Sequence, residues 1–123
     1  MYFSILIYGE DGAWEQLPPE EQQKVMEGHK ALQKALGERG PFATAKLMGA
    51  SAAVTLQPVT EGADALVLDG PFADTKERFL GFYGAEFEDL DEAIRFARFL
   101  SSAYARIEVR PVEWAGGVLA QEA

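Results

Sequence analysis

Two segments of the chain have the apolar spacing of an amphipathic helix, and six short segments around them have the character of β-strands. Their order along the chain is β-α-β-β-(β)-β-α-β. This order favours an α+β fold in which an antiparallel sheet carries both helices on one face. Two helices cannot also cover the second face, so the sequence predicts a partner or a ligand there.

The first strand, residues 2–8, shows this asymmetry between the two faces. Phe3, Ile5 and Ile7 alternate on one side, which we expect to contact the helices. The other side is mixed and carries Tyr2, Ser4, Leu6 and Tyr8. We predict a homodimer that stacks two sheets through this mixed face.

The two helices are recognised by their starts and their stripes. The first is predicted from Pro18-Pro19 to about Arg39. Its stripe consists of Val25, Met26, Leu32 and Leu36, with His29 inside it. The second begins after Asp89, a side chain suited to cap a helix N-terminus. Its stripe consists of Leu90, Ala93, Ile94, Ala97 and Leu100.

The remaining strands are predicted from short apolar runs between turn residues. Residues 42–48, 52–57 and 65–68 suggest an antiparallel meander, followed by a polar connection over 73–79. Strands at 81–87 and 106–112 complete the set. One domain is predicted over residues 1–115, and residues 116–123 form a loose tail.

Charge and residue counts exclude several classes of protein. The 123 residues include 20 Asp and Glu against 11 Lys and Arg, a net charge of −9. Because phosphate binding needs a basic patch, a nucleic-acid partner is disfavoured. No Cys and a single His exclude thiolate and three-histidine metal sites. We therefore expect neither metal nor cofactor. No signal or membrane-spanning segment is visible, and the cytoplasm is the expected location.

Several short motifs occur together in the second half of the chain. Asp69-Gly70-Pro71-Phe72 is followed by Lys76-Glu77, by Gly81-Phe82-Tyr83 and by Ile107–Val112. This ordered set resembles the DGPF group of YCII-related proteins over nearly the whole chain. The resemblance implies a small cytosolic protein with a ferredoxin-like fold, in the group whose members dimerise into an α/β barrel.

The resemblance also implies two kinds of activity. A histidine on the first helix, paired with an aspartate, is a proposed acid–base pair in YCII relatives, and His29 occupies such a position. Some DGPF proteins are associated with sigma factors of the extracytoplasmic-function class. The fold alone establishes neither of these two activities.

His29 and Asp69 are the candidate catalytic residues. His29 has the one side chain type that titrates near neutral pH, and it is either a general base or a core histidine with one hydrogen-bond partner. Asp69 either orients a turn or holds its carboxylate in a groove, where it pairs with His29 or acts on the substrate. Phe72 would then form a wall of the site.

Five side chains are candidates for substrate binding: Tyr8, Phe72, Lys76, Glu77 and Arg110. Lys76 and Glu77 form either an ion pair beside the Asp69 loop or a solvated surface pair, and Lys76 could neutralise an anionic substrate. Glu108 and Arg110 share the strand face that points away from the helices. They suggest an ion pair that locks the dimer.

The sequence thus predicts a homodimer whose groove binds a small anionic or aromatic molecule. If it is an enzyme, we expect isomerase or lyase chemistry by proton transfer without a cofactor. His29 is then the base, and Asp69 is its orienting partner or a second acid–base group. The alternative is a non-catalytic ligand sensor or regulatory partner of an extracytoplasmic-function sigma factor.

Overall fold

A computed structural model describes residues 1–72 and 75–117. Its elements are β1 Tyr2–Glu10, α1 Ala13–Gln16, α2 Pro19–Arg39, β2 Ala43–Lys46, β3 Val54–Leu56, β4 Val67–Asp69, β5 Glu77–Glu86, α3 Leu90–Ala97 and β6 Ala105–Pro111. Residues 73 and 74 of the predicted connection and residues 118–123 of the predicted tail lie outside the described residues.

Four strands form an antiparallel sheet in the order β2-β5-β1-β6. The central strand β1 pairs with β5 on one side and with β6 on the other. With the short helix α1 and the hairpin β3–β4 set aside, the order of elements is β-α-β-β-α-β, the ferredoxin-like arrangement. The predicted α+β class is confirmed, whereas the dimer remains a prediction.

The core lies between one face of this sheet and the helices. Phe3, Ile5 and Ile7 are buried there together with Leu32 and Leu36 of α2. The predicted alternation in β1 is therefore confirmed, because each intervening side chain is only half-buried. We call the sheet face that points away from the helices the open face.

Both helix boundaries follow from local chemistry. Helix α2 begins at Pro19, since the first turn of a helix has no use for the amide hydrogen that proline lacks. Helix α3 is capped as predicted, because the Asp89 Oδ1 atom accepts a hydrogen bond from the Glu92 amide at 2.9 Å. Gly28 lets α2 approach the turn after α3, where a Cβ atom would lie 2.2 Å from the Phe99 carbonyl oxygen.

The predicted three-stranded meander is wrong for its first strand, whereas the antiparallel pairing of its second and third strands is confirmed. Strand β2 pairs with β5 over Ala43–Lys46, and the Leu47 amide continues this pairing by donating to the Leu80 carbonyl at 2.8 Å. Strands β3 and β4 pair only with each other, in a separate two-stranded sheet. We call residues 47–72, which contain this hairpin, the arm.

Strand β5 also starts earlier than predicted, at Glu77 rather than at Gly81. The prediction failed because Glu77 and Arg78 are charged and were assigned to a polar connection. In the structure they continue the pairing with Glu10 and Gly9 at the end of β1. The connection that follows the arm is correspondingly shorter.

Candidate functional site

A hydrogen-bonded chain of three side chains joins α2 to the sheet. The Nδ1 atom of His29 lies 2.8 Å from the Tyr83 hydroxyl, and the Gln33 Nε2 atom donates to the same hydroxyl at 3.0 Å. The Tyr83 side chain is 1% exposed and its ring stacks on the imidazole. His29 itself is half-buried. Its ring is therefore held in one orientation.

The hydrogen-bond roles around Tyr83 determine the protonation of His29. The Tyr83 oxygen accepts from Gln33, so its single proton is available for the Nδ1 atom of His29. Leaving that buried hydroxyl proton without an acceptor would be unfavourable. The arrangement therefore favours a neutral imidazole that carries its own proton on Nε2.

Burial and a nearby cation act on this ring in the same direction. Burial lowers the pKa of His29 below its usual value, and the positive charge of Lys46 lowers the pKa further. Lys46 pairs with Gly81 in the sheet, so it projects to the same face as Tyr83, two residues along β5. Both effects favour the neutral form of the imidazole.

Asp69 and Phe72 lie on the arm. Asp69 ends β4 and is exposed, and Gly70 follows it with φ 93°, a conformation that favours glycine and accords with the predicted turn. Within residues 1–72 and 75–117, Asp69 makes no hydrogen bond to His29; Tyr83 takes the place predicted for it. Phe72 is 88% exposed, so it forms no wall within one chain.

Lys76 and Glu77 are not paired with each other. The Lys76 ammonium lies 3.4 Å from a Glu10 carboxylate oxygen, and Glu77 accepts from the Arg106 guanidinium at 2.7 Å. The predicted ion pair is wrong, because Glu77 belongs to β5 and its carboxylate is bound by Arg106 of β6. Glu77 and Arg106 line a shallow depression of about 510 Å³ that does not include His29.

Tyr8 and Arg110 lie on the open face. The Tyr8 hydroxyl donates to Glu108 Oε1 at 3.3 Å. Partial burial and the Glu108 carboxylate raise the pKa of Tyr8. The predicted Glu108–Arg110 ion pair is wrong, because Glu108 pairs with Tyr8 instead. Among the described residues Arg110 has no carboxylate partner; it lies opposite Ser4 in the strand pairing.

The seven predicted site residues do not form one site. Their positions are the open face for Tyr8, Glu77 and Arg110, the arm for Asp69 and Phe72, the position before β5, beside Glu10, for Lys76, and α2 for His29. Sequence reasoning missed Gln33, Tyr83 and Lys46. Gln33 follows His29 by four residues, which places both on one side of a helix, and this signal was available. Tyr83 belongs to the recognised motif Gly81-Phe82-Tyr83, but no role was assigned to it from the sequence. Lys46 could be found only by knowing that β2 pairs with β5.

No group of three His, Cys, Asp or Glu side chains in the described part of the chain is arranged to hold a metal ion. None of its helices combines the length and the apolar character needed to cross a membrane.

Comparison with known proteins agrees with this architecture. The model of the YCII-related domain matches residues 1–114. An uncharacterised protein of Rhizobium meliloti (strain 1021) is 38% identical over 116 residues, which cover 91% of this chain and 92% of the relative. The match spans β1 to β6, including His29, the arm and Tyr83. The chain belongs to the YCII-related family.

Proposed function

We propose that this protein is a cytoplasmic homodimer that binds a small anionic molecule and carries out cofactor-free proton transfer on it at His29. The reaction would be of the isomerase or lyase type. The observation that carries this proposal is the His29–Tyr83–Gln33 chain. It holds one imidazole nitrogen and leaves the other available at the margin of the core.

A neutral imidazole with its proton on Nε2 donates a hydrogen bond to an oxygen of the ligand. Such a donor polarises a carbonyl group and stabilises negative charge that develops on the oxygen. The sequence predicted His29 as a base. For that role the ring proton has to move from Nε2 to Nδ1 and the Tyr83 hydroxyl has to turn, so that its oxygen accepts from Nδ1 and Nε2 can take a proton from the ligand. The orientation of the Tyr83 hydroxyl then determines which imidazole nitrogen carries the proton.

The charge near His29 favours an anionic ligand. Lys46 is the cation whose charge acts on the imidazole. Elsewhere the chain is strongly acidic, with a net charge of −9, so a local cation is needed to attract an anion. The predicted substrate cation Lys76 is already paired with Glu10.

The open face supports the homodimer. Leu6 and Phe82 are cross-strand neighbours there, and Tyr8 lies opposite Phe79. These apolar and aromatic side chains are only partly buried in the single chain. Covering the open face with a second copy would remove them from water, which is the main favourable term in association.

The proposal is tested with a panel of lactones and chlorinated cyclic acids. Turnover is measured for the wild type, His29→Gln, Tyr83→Phe and the control Lys30→Gln, which removes an exposed charge from the same helix. We expect turnover by the wild type and the control, and losses of roughly 10²–10⁴-fold in His29→Gln. Equal turnover in His29→Gln and the wild type would contradict the proposal.

The ligand-sensor alternative is favoured by one observation, the net charge of −9, which suits docking to a basic protein segment. It predicts ligand binding without turnover, and a sigma factor that co-purifies with the chain. Binding that moves the His29 resonance without any product, together with such a co-purifying partner, would favour the sensor over the enzyme.

A further inference from the structure

The arm holds most of the exposed apolar side chains of the molecule. Nine of the fifteen large hydrophobic side chains that are exposed among the described residues lie within residues 47–72. They are Leu47, Met48, Val54, Leu56, Val59, Leu66, Val67, Leu68 and Phe72. A soluble monomer rarely exposes so many apolar side chains in one segment unless they bind something.

The hairpin of the arm gathers part of this set on one face. Leu56 lies opposite Val67, and Val54 lies opposite Asp69. Because cross-strand partners project to the same side, these four side chains form one surface, which we call the arm face. The two strands are three residues each, and an isolated two-stranded hairpin is marginally stable in water. The arm face therefore needs a cover.

The charges of the arm limit which kind of partner can bind the arm face. Residues 47–72 contain Glu61, Asp64 and Asp69 and no Lys or Arg. An anionic surface, such as a nucleic acid or an acidic membrane, would be repelled. The open face of this same chain has the complementary character. It offers Leu6 and Phe82 as apolar area and Arg110 as a cation without a carboxylate partner in the described part.

We infer that the arm of one copy binds a second copy of this chain. Its arm face covers apolar area of the open face, and Asp69 is placed toward Arg110 there. The inference rests on the proposed homodimer and assigns the element that holds it together. In a two-fold dimer the contact occurs twice, since each copy gives one arm and receives another. Asp69-Gly70-Pro71-Phe72 thereby becomes a partner-binding turn.

The test compares two double variants by sedimentation velocity over a dilution series. Leu56→Ser with Val67→Ser removes apolar area from the arm face. Met26→Ser with Leu90→Ser is the matched control, since both side chains are similarly exposed but belong to α2 and α3. We expect the arm variant to raise the dimer dissociation constant roughly a hundredfold, and the control to leave it unchanged.

The outcomes separate this inference from the proposed function. A wild type that stays monomeric at high micromolar concentration would overturn the homodimer, and the arm contact with it. A dimeric wild type whose dissociation constant is the same in the arm variant would overturn the arm contact alone. A hundredfold rise in both double variants would also overturn it, because the effect would not be specific to the arm.

A second measurement covers the case in which the arm variant fails to fold. The chain has no Cys, so Val67→Cys can be labelled at one site with a photoreactive benzophenone. Irradiation should give a covalent dimer from this variant, and none from the control Met26→Cys labelled in the same way. No covalent dimer from Val67→Cys would overturn the inference.

Discussion

The packed core and the arm contain the same apolar residue types, but the core buries them and the arm exposes them. In the core, Leu32 of α2 and Ile5 of β1 are both 0% exposed. In the arm, Leu56 and Val67 are 61% and 57% exposed, although they also lie in paired strands. The difference is a covering layer, since helices lie on the sheet, whereas no element within residues 1–72 and 75–117 covers the arm face.

This comparison separates stability from association. The core completes itself within one chain, so its side chains determine the free energy of unfolding. In the proposed dimer the arm face is completed by a second copy, so its side chains should determine the dissociation constant of that dimer.

The sharpest contrast is between two leucine truncations. Leu32→Ala should lower the free energy of unfolding by about 2–5 kcal/mol, because it leaves a cavity in the core. Leu56→Ala should change it by less than about 0.5 kcal/mol in dilute solution, because the side chain is exposed in the free chain. Urea denaturation measures both. Similar losses in the two variants would abolish the distinction between the regions.

Two glycines in α2 give a second contrast, within one helix. Gly28→Ala should destabilise the fold by about 1–3 kcal/mol, because its Cβ atom would lie 2.2 Å from the Phe99 carbonyl oxygen. Gly37→Ala is the control, since the nearest atom to its Cβ is 3.8 Å away on Phe42. Alanine favours the helix there by about 1 kcal/mol. Thermal melting should therefore shift in opposite directions.

A substitution in the His29–Tyr83–Gln33 chain should change the free energy of unfolding but not the dissociation constant of the dimer. Tyr83→Phe removes the hydroxyl that joins His29 to Gln33. We expect a loss of about 1 kcal/mol in the free energy of unfolding, because the two freed groups can still reach water. The dimer dissociation constant should stay that of the wild type. A variant that dissociates would place Tyr83 in the interface instead.

The smallest expected effect is a decrease in the free energy of unfolding as the pH falls below neutral. The pKa of His29 is lowered in the folded chain, so between that value and the usual one of about 6.5 the unfolded chain binds more protons. Stability is full above this window and falls as the pH drops through it. Lys46→Gln should raise the pKa of His29 and reduce that loss, whereas Lys34→Gln should not. Unfolding at pH 5 and pH 7 measures the difference.

The sequence was most informative where one chain completes its own structure. Alternation placed Phe3, Ile5 and Ile7 in the core, and Asp89 marked a helix start that the structure confirms. Both follow from local rules, because burial on one face leaves a period in the sequence. The α+β class followed from the order of elements, and the ferredoxin-like fold followed from the resemblance.

Strand pairing and the site were less predictable. The meander was wrong for its first strand because short apolar runs do not specify their partners, and β2 pairs with β5 across the whole arm. Tyr83 was missed as the partner of His29 for the same reason, since 54 residues separate them. Asp69 was placed beside His29 on family resemblance, which carries no information about side-chain contacts in this chain.

The protonation of His29 tests the central claim most directly. The chain has one His, so the imidazole nitrogens of ¹⁵N-labelled protein give a single pair of histidine signals in a long-range ¹H–¹⁵N correlation spectrum. A titration from pH 8 to pH 4 then follows that one ring. The account predicts a neutral ring at pH 7 with its proton on Nε2, and a pKa below the usual value. A cationic ring at pH 7, or a proton on Nδ1, would contradict it.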